Sequence, residues 1–390
     1  MTFHLSQVAP PPGRHLATPL SGSAQARSPQ AQGAGDSATP SDAVLTFVFM
    51  ANLAAQEATG DSAASTSPER VLNRLKGSTE SQTYLFPVSA GAAPLCEVSE
   101  LGLPLIPAVG PMPELDFVGF IHISLPLLEE TSNAEVECIL DVEYLPMPGE
   151  DLSAEGRRLT DWMAAQALEL VKKLGRSRVQ VGVLFPRGKD CSFDPMAQSY
   201  AQLGFVPKHS EQQMKIAVPD NPPVPMLDKH TMVRVWPDYD ICPDYLGQVL
   251  DLLTVASTDA HNGTLTVEPI VWTPARLADA YARLRDRRAH TLLVALIRKS
   301  QIVAMAELSR QDHGDPEVAE WTLTVTHRDC RMRGFAWAAK LAALRACAKL
   351  WPGVTRTYTS VAGDDPAMLR INQRLGAEVI STSEAWELDL

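Results

Sequence analysis

One order of elements occurs twice in this chain, and that duplication limits the folds open to it more than any other feature. In each half, alternating apolar runs of strand character lead into a long helix, then a strand, a short helix and a final extended stretch. The register agrees: Met196 lies seven residues before Leu203-Gly204, Met368 lies seven before Leu375-Gly376, and the offset is 172 residues. Strands alternating with helices imply an α/β fold with a mixed sheet flanked by helices.

The first half, residues 1–218, carries predicted helices over Ser41–Ala58, Pro68–Lys76, Ala154–Leu174 and Pro195–Leu203, with strands over Gln82–Val88, Phe117–Leu127, Val136–Tyr144 and Val179–Phe185. Two stretches, 9–40 and 91–113, are rich in Pro, Gly, Ala and Ser and are expected to be flexible insertions. The proline-stiffened stretch PDNPPVP at 219–225 opens a linker, 219–230. The second half, 231–390, continues with strands Met232–Trp236, Thr291–Arg298, Ile302–Ser309, Val318–Thr326 and Arg356–Ser360 and a terminal strand pair over Glu378–Asp389. Its helices are expected at Tyr245–Ser257, at Pro274–Arg287, in the long apolar stretch that departs from Arg331–Ala336, and at Ala367–Leu375.

Composition narrows the function. The 390 residues carry a formal charge of -12, which opposes phosphate backbones and suits a cationic small substrate better than nucleic acid. No apolar run is long enough to cross a bilayer, and the opening MTFHLSQVAPPPGRH lacks a secretory pattern, so a cytoplasmic protein is expected. The six cysteines show no metal spacing and read as reduced thiols; no metal is expected.

Against this acidic background, Arg328, Arg331 and Arg333 gather where the strand WTLTV gives way to a long apolar helix. Strand, tight loop and helix start form an anion-binding order, because free backbone N–H groups and the positive end of the helix dipole converge there. Gly334 and Ala336 leave room for a ligand to approach the backbone. The hexapeptide Arg331-Met332-Arg333-Gly334-Phe335-Ala336 resembles the Q/R-x-x-G-x-G/A pyrophosphate loop of the GNAT superfamily of N-acetyltransferases. The later run Met368 to Gly376 is similar to the family's N-x-x-M-x-x-x-N-x-x-L-G helix, with Asn372 at the matching position.

The resemblance covers Met232–Leu390 and, more faintly, Met1–Val218, and is nearest to tandem-domain members. It implies two tandem acyl-CoA N-acyltransferase folds, with acetyl-CoA as co-substrate of the second and an amine of a small molecule or peptide as acceptor. It further implies that Leu323, Thr324 and Val325 offer backbone groups to pantetheine, that the loop Arg331–Ala336 holds the pyrophosphate, and that Asn372 lies near the thiol. The sequence departs from the family at Val361 and Asp365, where amides are usual. In the first half, acidic residues Glu150, Asp151 and Glu155 surround the matching turn, so that half is expected not to bind CoA.

For a general base, strict alternation puts Glu320 with Thr322 and Thr324, opposite Trp321, Leu323 and Val325. Glu320 is the first candidate; Glu307, Glu317 and His327 are others. No general acid stands out, since Asn372 cannot release a proton at neutral pH. Trp321, Trp337 and the alanine face of the helix read as core. A non-catalytic acyl-CoA-binding protein of the same fold is the alternative reading, and the oligomeric state is left open.

Overall fold

The structure, a computed structural model, describes residues 2–11, 39–62, 65–91, 93–146 and 150–390. The first half comprises β1 (Phe3–Leu5), β2 (Gln7–Val8), α1 (Asp42–Thr59), α2 (Pro68–Lys76), β3 (Ser81–Ala90), β4 (Leu105–Ile106), β5 (Asp116–Pro126), β6 (Asn133–Leu140), α3 (Ala154–Lys173), β7 (Arg178–Pro186), α4 (Ala197–Gln202) and β8 (Val206–Ala217). The second comprises β9 (Thr231–Pro237), α5 (Pro243–Thr258), α6 (Pro274–Asp286), β10 (Ala289–Arg298), β11 (Gln301–Gln311), β12 (Val318–Thr326), α7 (Phe335–Leu350), β13 (Arg356–Ala362), α8 (Pro366–Arg374) and β14 (Glu378–Asp389). Local signals set the helix ends. Ser67 and Thr273 cap α2 and α6 through their hydroxyls, each with proline at the start of the helix, and Gly60 closes α1 in the left-handed region.

Twelve strands form one sheet in the order β1-β3-β5-β6-β7-β14-β8-β13-β12-β11-β10-β9, and the expected mixed α/β architecture is present. The order is symmetric about its centre. Each half ends in a strand that has crossed over: β14 pairs antiparallel with β7 of the first half, while β8 pairs antiparallel with β13 of the second. The two crossed strands also pair with each other. The segment Glu378–Asp389, expected as a strand pair, is a single strand, bulged between Val379 and Ser381 and again between Ala385 and Trp386. The register shifts bend it without a turn.

Four apolar clusters cover the sheet, two per half. In the second half one lies under α7 and contains Leu292, Leu308, Trp321, Ala339 and Ala343. The other lies under α5 and α6 and contains Leu253, Leu293, Met305 and Val325. The alanines of α7 let that helix approach the sheet closely, as expected from the sequence.

The two expected insertions fare differently. Of 9–40, residues 12–38 lie outside the described ones. Of 91–113, the described part is tied down, because β4 pairs in parallel with β2 and Ile106 and Ala108 are buried against α1. Apolar residues within a Pro/Gly-rich stretch outweigh its composition once a partner strand is available.

Candidate functional site

Strands β12 and β13 run parallel and pair only from Val318↔Arg356 to Glu320↔Tyr358. Beyond Glu320 they fork, and residues 321–326 face Thr359–Ala362 across a groove of about 1030 Å³. Along the fork, the β12 backbone groups that would continue the ladder have no strand partner on that side. The groove runs on to the start of α7, where Arg331, Met332, Gly334, Phe335 and Ala336 line it.

The loop at that end has the backbone of an anion cradle. Met332 (φ 61°) and Gly334 (φ 81°) are both left-handed, which turns successive N–H groups inward. The first bond of α7 runs from Ala338 N–H to Gly334 C=O at 3.0 Å, so the N–H groups of Phe335, Ala336 and Trp337 precede any helical acceptor. A Cβ built on Gly334 meets nothing within 4 Å, so the space in front of it is open. These features fit a pyrophosphate.

The arginines are less free than the sequence suggests. Asp259, at the C-terminal cap of α5, accepts from Arg328 Nε at 2.9 Å and Nη2 at 2.6 Å and also from Arg331 Nη2. The two guanidiniums hold its carboxyl well below the ordinary range. Arg333 is exposed and stands outside the groove wall. Asp259 thus occupies the cation sites as an internal anion, and an incoming phosphate competes with it. Asp259→Asn is expected to lower the dissociation constant for CoA about fivefold at low salt, measured by calorimetry, because it removes that charge. An unchanged constant would mean that neither arginine meets the ligand.

The other sequence candidates separate. Leu323, Thr324 and Val325 line the groove. Glu320 does not: it is exposed and borders a smaller cavity of about 160 Å³, together with Ser62, Ser67 and Arg70 from the first half. The expected alternation of β12 also fails. Register slips between Glu307 and Leu308, opposite Leu323 and Trp321, so Thr322 is an extra residue. As a result Trp321 packs toward α7 while Leu323 and Val325 pack toward α5.

Glu317 pairs with Arg356 at 2.7 Å, and His327 accepts from Asp329 N–H at 3.3 Å; both serve local structure. Glu307 is buried and accepts from Tyr239 Oη at 3.3 Å and from Thr322 Oγ1 at 2.5 Å, while its Oε2 is buried without a partner. Burial raises its pKa, opposed by those two donors. Thr322 reaches both this carboxyl and the groove.

Asn372 is fully buried and stands behind the groove wall, where its Oδ1 accepts from Lys340 Nζ at 2.8 Å. Lys340 itself lines the groove and sits 4.3 Å over the ring of Trp321. Sequence reasoning passed over this lysine. A signal was present: one cation in the apolar run Ala338-Ala339-Lys340-Leu341-Ala342. Trp321 and Trp337, read as core, contribute to the groove wall, and Arg374 stacks 5.7 Å from the Trp337 ring centre. Asp365 caps α8 by accepting from Ala367 and Met368 N–H, which accounts for a carboxylate where the family has an amide; Val361 is buried in the wall.

In the first half the equivalent fork opens after Val136↔Val181, but the carboxylate of Asp194 accepts from Leu184 N–H at 3.3 Å and Met196 N–H at 2.8 Å. That half fills its own gap. Its helix α3 begins at a Ser153 hydroxyl cap with Glu155 in the first turn.

Residues 259–377, which span the groove, α7 and α8, match the profile of the acetyltransferase (GNAT) family. This region is a GNAT-family domain. Across the whole chain the fold is that of two tandem GNAT domains. It is similar to a tandem GNAT protein from the clavulanic acid biosynthesis pathway, with a TM-score of 0.63 at 18% identity over 89% of this chain and 95% of that one. A GCN5-related N-acetyltransferase from Sphaerobacter thermophilus gives 0.54 at 15% identity, over 89% and 92%. No curated protein gives a significant sequence match.

Proposed function

We propose that the GNAT domain transfers an acetyl group from acetyl-CoA to a primary amine of a small molecule or peptide. The observation that supports this is the fork of β12 from β13, which places unpaired strand backbone in one groove with the exposed N–H groups of α7. Phe335, Ala336 and Trp337 N–H, with Arg331, would hold the pyrophosphate. The free edge of Leu323–Val325 would hold the pantetheine amides. Acetyl-CoA supplies an activated acyl group as a thioester, and the protein aligns an amine against it.

An ammonium cannot attack, so a base must accept its proton. Glu320 is the last β12 residue paired before the fork opens and borders the cavity shared with the first half, which would then shape the acceptor site. Glu307 is the second carboxylate on that face, joined to the groove through Thr322. The two are separable by pH. A base works only when ionised, and the raised pKa of Glu307 places its limb above the ordinary carboxylate range. If Glu307 is the base, kcat/KM climbs with pH through that limb. Glu307→Gln would then lower the rate by about 100-fold or more and flatten the limb, whereas Glu320→Gln would leave its shape intact. The reverse pattern would assign the base to Glu320.

The test of the function is direct: titrate acetyl-CoA into the protein by calorimetry, then follow thiol release with a panel of amines. Micromolar binding with amine-dependent release is expected. Absence of binding overturns the proposal, and binding without release from any amine would leave a non-catalytic acyl-CoA binder. All six cysteines are free thiols, and no helix among the described residues is long and apolar enough to cross a membrane.

A further inference from the structure

The acetyl-transfer reading lacks a group to protonate the departing thiolate, and Asn372 cannot be that group. Lys340 is a buried cation with no carboxylate partner: it is 1% exposed, its Nζ donates to Asn372 Oδ1 at 2.8 Å, and it rests 4.3 Å over the Trp321 ring. Burying a lysine among alanines is costly unless the charge or the proton is used. Among the described residues, no charged group shifts its titration; burial alone lowers its pKa, to about 7. Asn372 on α8 and Trp321 on β12 are the neighbours that face the ammonium.

The position suits the reactive end of the groove. Trp321 is the first residue past the last β12–β13 pair, so it marks the closed end of the fork, away from the phosphate loop. Lys340 lies five residues into α7 from Phe335, about 7.5 Å along the helix. Glu307 shares its face of β11 with Met305, which packs toward α5, whereas Trp321 and Lys340 lie on the α7 side. Base and cation therefore approach the fork from opposite faces of the sheet, as a transfer needs when the amine enters on one side and sulfur departs on the other.

We propose that Lys340, fixed by Asn372 and Trp321, is the proton donor to the leaving thiolate of CoA. This rests on the acetyl-transfer reading above. In the step, the amine nitrogen bonds to the acetyl carbon and the carbon–sulfur bond breaks with its electron pair going to sulfur. The Lys340 ammonium then gives one proton to sulfur and becomes a neutral amine. The proton lost by the substrate passes to the base, and water reprotonates Lys340.

The test compares CoA with desulfo-CoA, which lacks the sulfur, by calorimetry at pH 6.5 and 8. Wild type is expected to prefer CoA at least tenfold at pH 6.5, where Lys340 is an ammonium that can hydrogen-bond the sulfur, and less at pH 8, where it is largely neutral. Lys340→Met is expected to reduce that preference to under threefold while leaving the desulfo-CoA affinity unchanged, and to lower kcat by about 100-fold or more. The wild-type fall in kcat above about pH 7 should vanish in the variant. A wild type that binds both ligands equally overturns the donor role without recourse to any variant. So does a Lys340→Met enzyme with the wild-type preference and kcat. A wild type that binds neither ligand instead removes the acetyl-transfer reading on which the inference stands.

Discussion

Replacing Gly334 with glutamate is expected to raise the dissociation constant for acetyl-CoA at least 100-fold, measured by calorimetry, with the fold retained. Gly334 sits at φ 81° and its missing Cβ would point into open space, so the new side chain enters the groove rather than the core. The left-handed backbone costs an L-residue about 1–2 kcal/mol. A carboxylate ahead of a helix returns about 0.3–1 kcal/mol of that through the dipole, so melting should shift by only a few degrees. Binding suffers far more. The carboxylate would occupy the N–H groups of Phe335, Ala336 and Trp337 and repel a pyrophosphate at contact distance. Unchanged affinity in this variant would show that the cradle at the start of α7 does not hold the ligand.

Ending the chain at Ala377 is expected to abolish cooperative folding of both halves, not of the second alone. The strand lost, β14, pairs with β7 from Ser381↔Pro186 to Asp389↔Arg178 on one edge and with β8 from Glu378↔Lys215 to Glu387↔Val206 on the other. Its Trp386 is buried in the core of the first half. With antiparallel pairing along both edges, roughly eighteen backbone hydrogen bonds at about 1 kcal/mol each would be lost, which exceeds the entire stability of an ordinary domain, about 5–15 kcal/mol. Circular dichroism of residues 1–377 should show no sharp melting transition. A first half that melts as it does in the intact protein would mean that the exchanged strand is dispensable to it.

Most of the elements were legible because their signals are local. The span Pro68–Lys76 carries its own serine cap and proline start, and Val318–Thr326 alternates up to the bulge. The phosphate-type loop was legible for the same reason: Arg331, Gly334 and Ala336 lie within six residues, and the free N–H groups belong to the backbone whatever surrounds it. The departure at Asp365 was harder to weigh. In the sequence it is a carboxylate near a phosphate site, and in the fold it is a helix cap whose oxygen is taken up by two N–H groups.

Long-range pairings were not legible. Asp259 and Arg331 are 72 positions apart, and nothing in either neighbourhood indicates that they meet. The bulge at Thr322 adds one residue against β11, which sends Leu323 and Val325 to the face opposite Trp321; strict alternation has no means of detecting it.

By itself the sequence determined the duplicated order of strands and helices and the chemistry of the loop before α7, since propensity, capping and free backbone groups at a helix start act over a few residues. Tertiary structure decided which half each final strand belongs to, that Glu320 and the groove stand apart, and that Lys340 is buried in the groove wall against Trp321. A strand reads the same whichever edge it joins, and a lysine reads as exposed until the surfaces that desolvate it have closed around it.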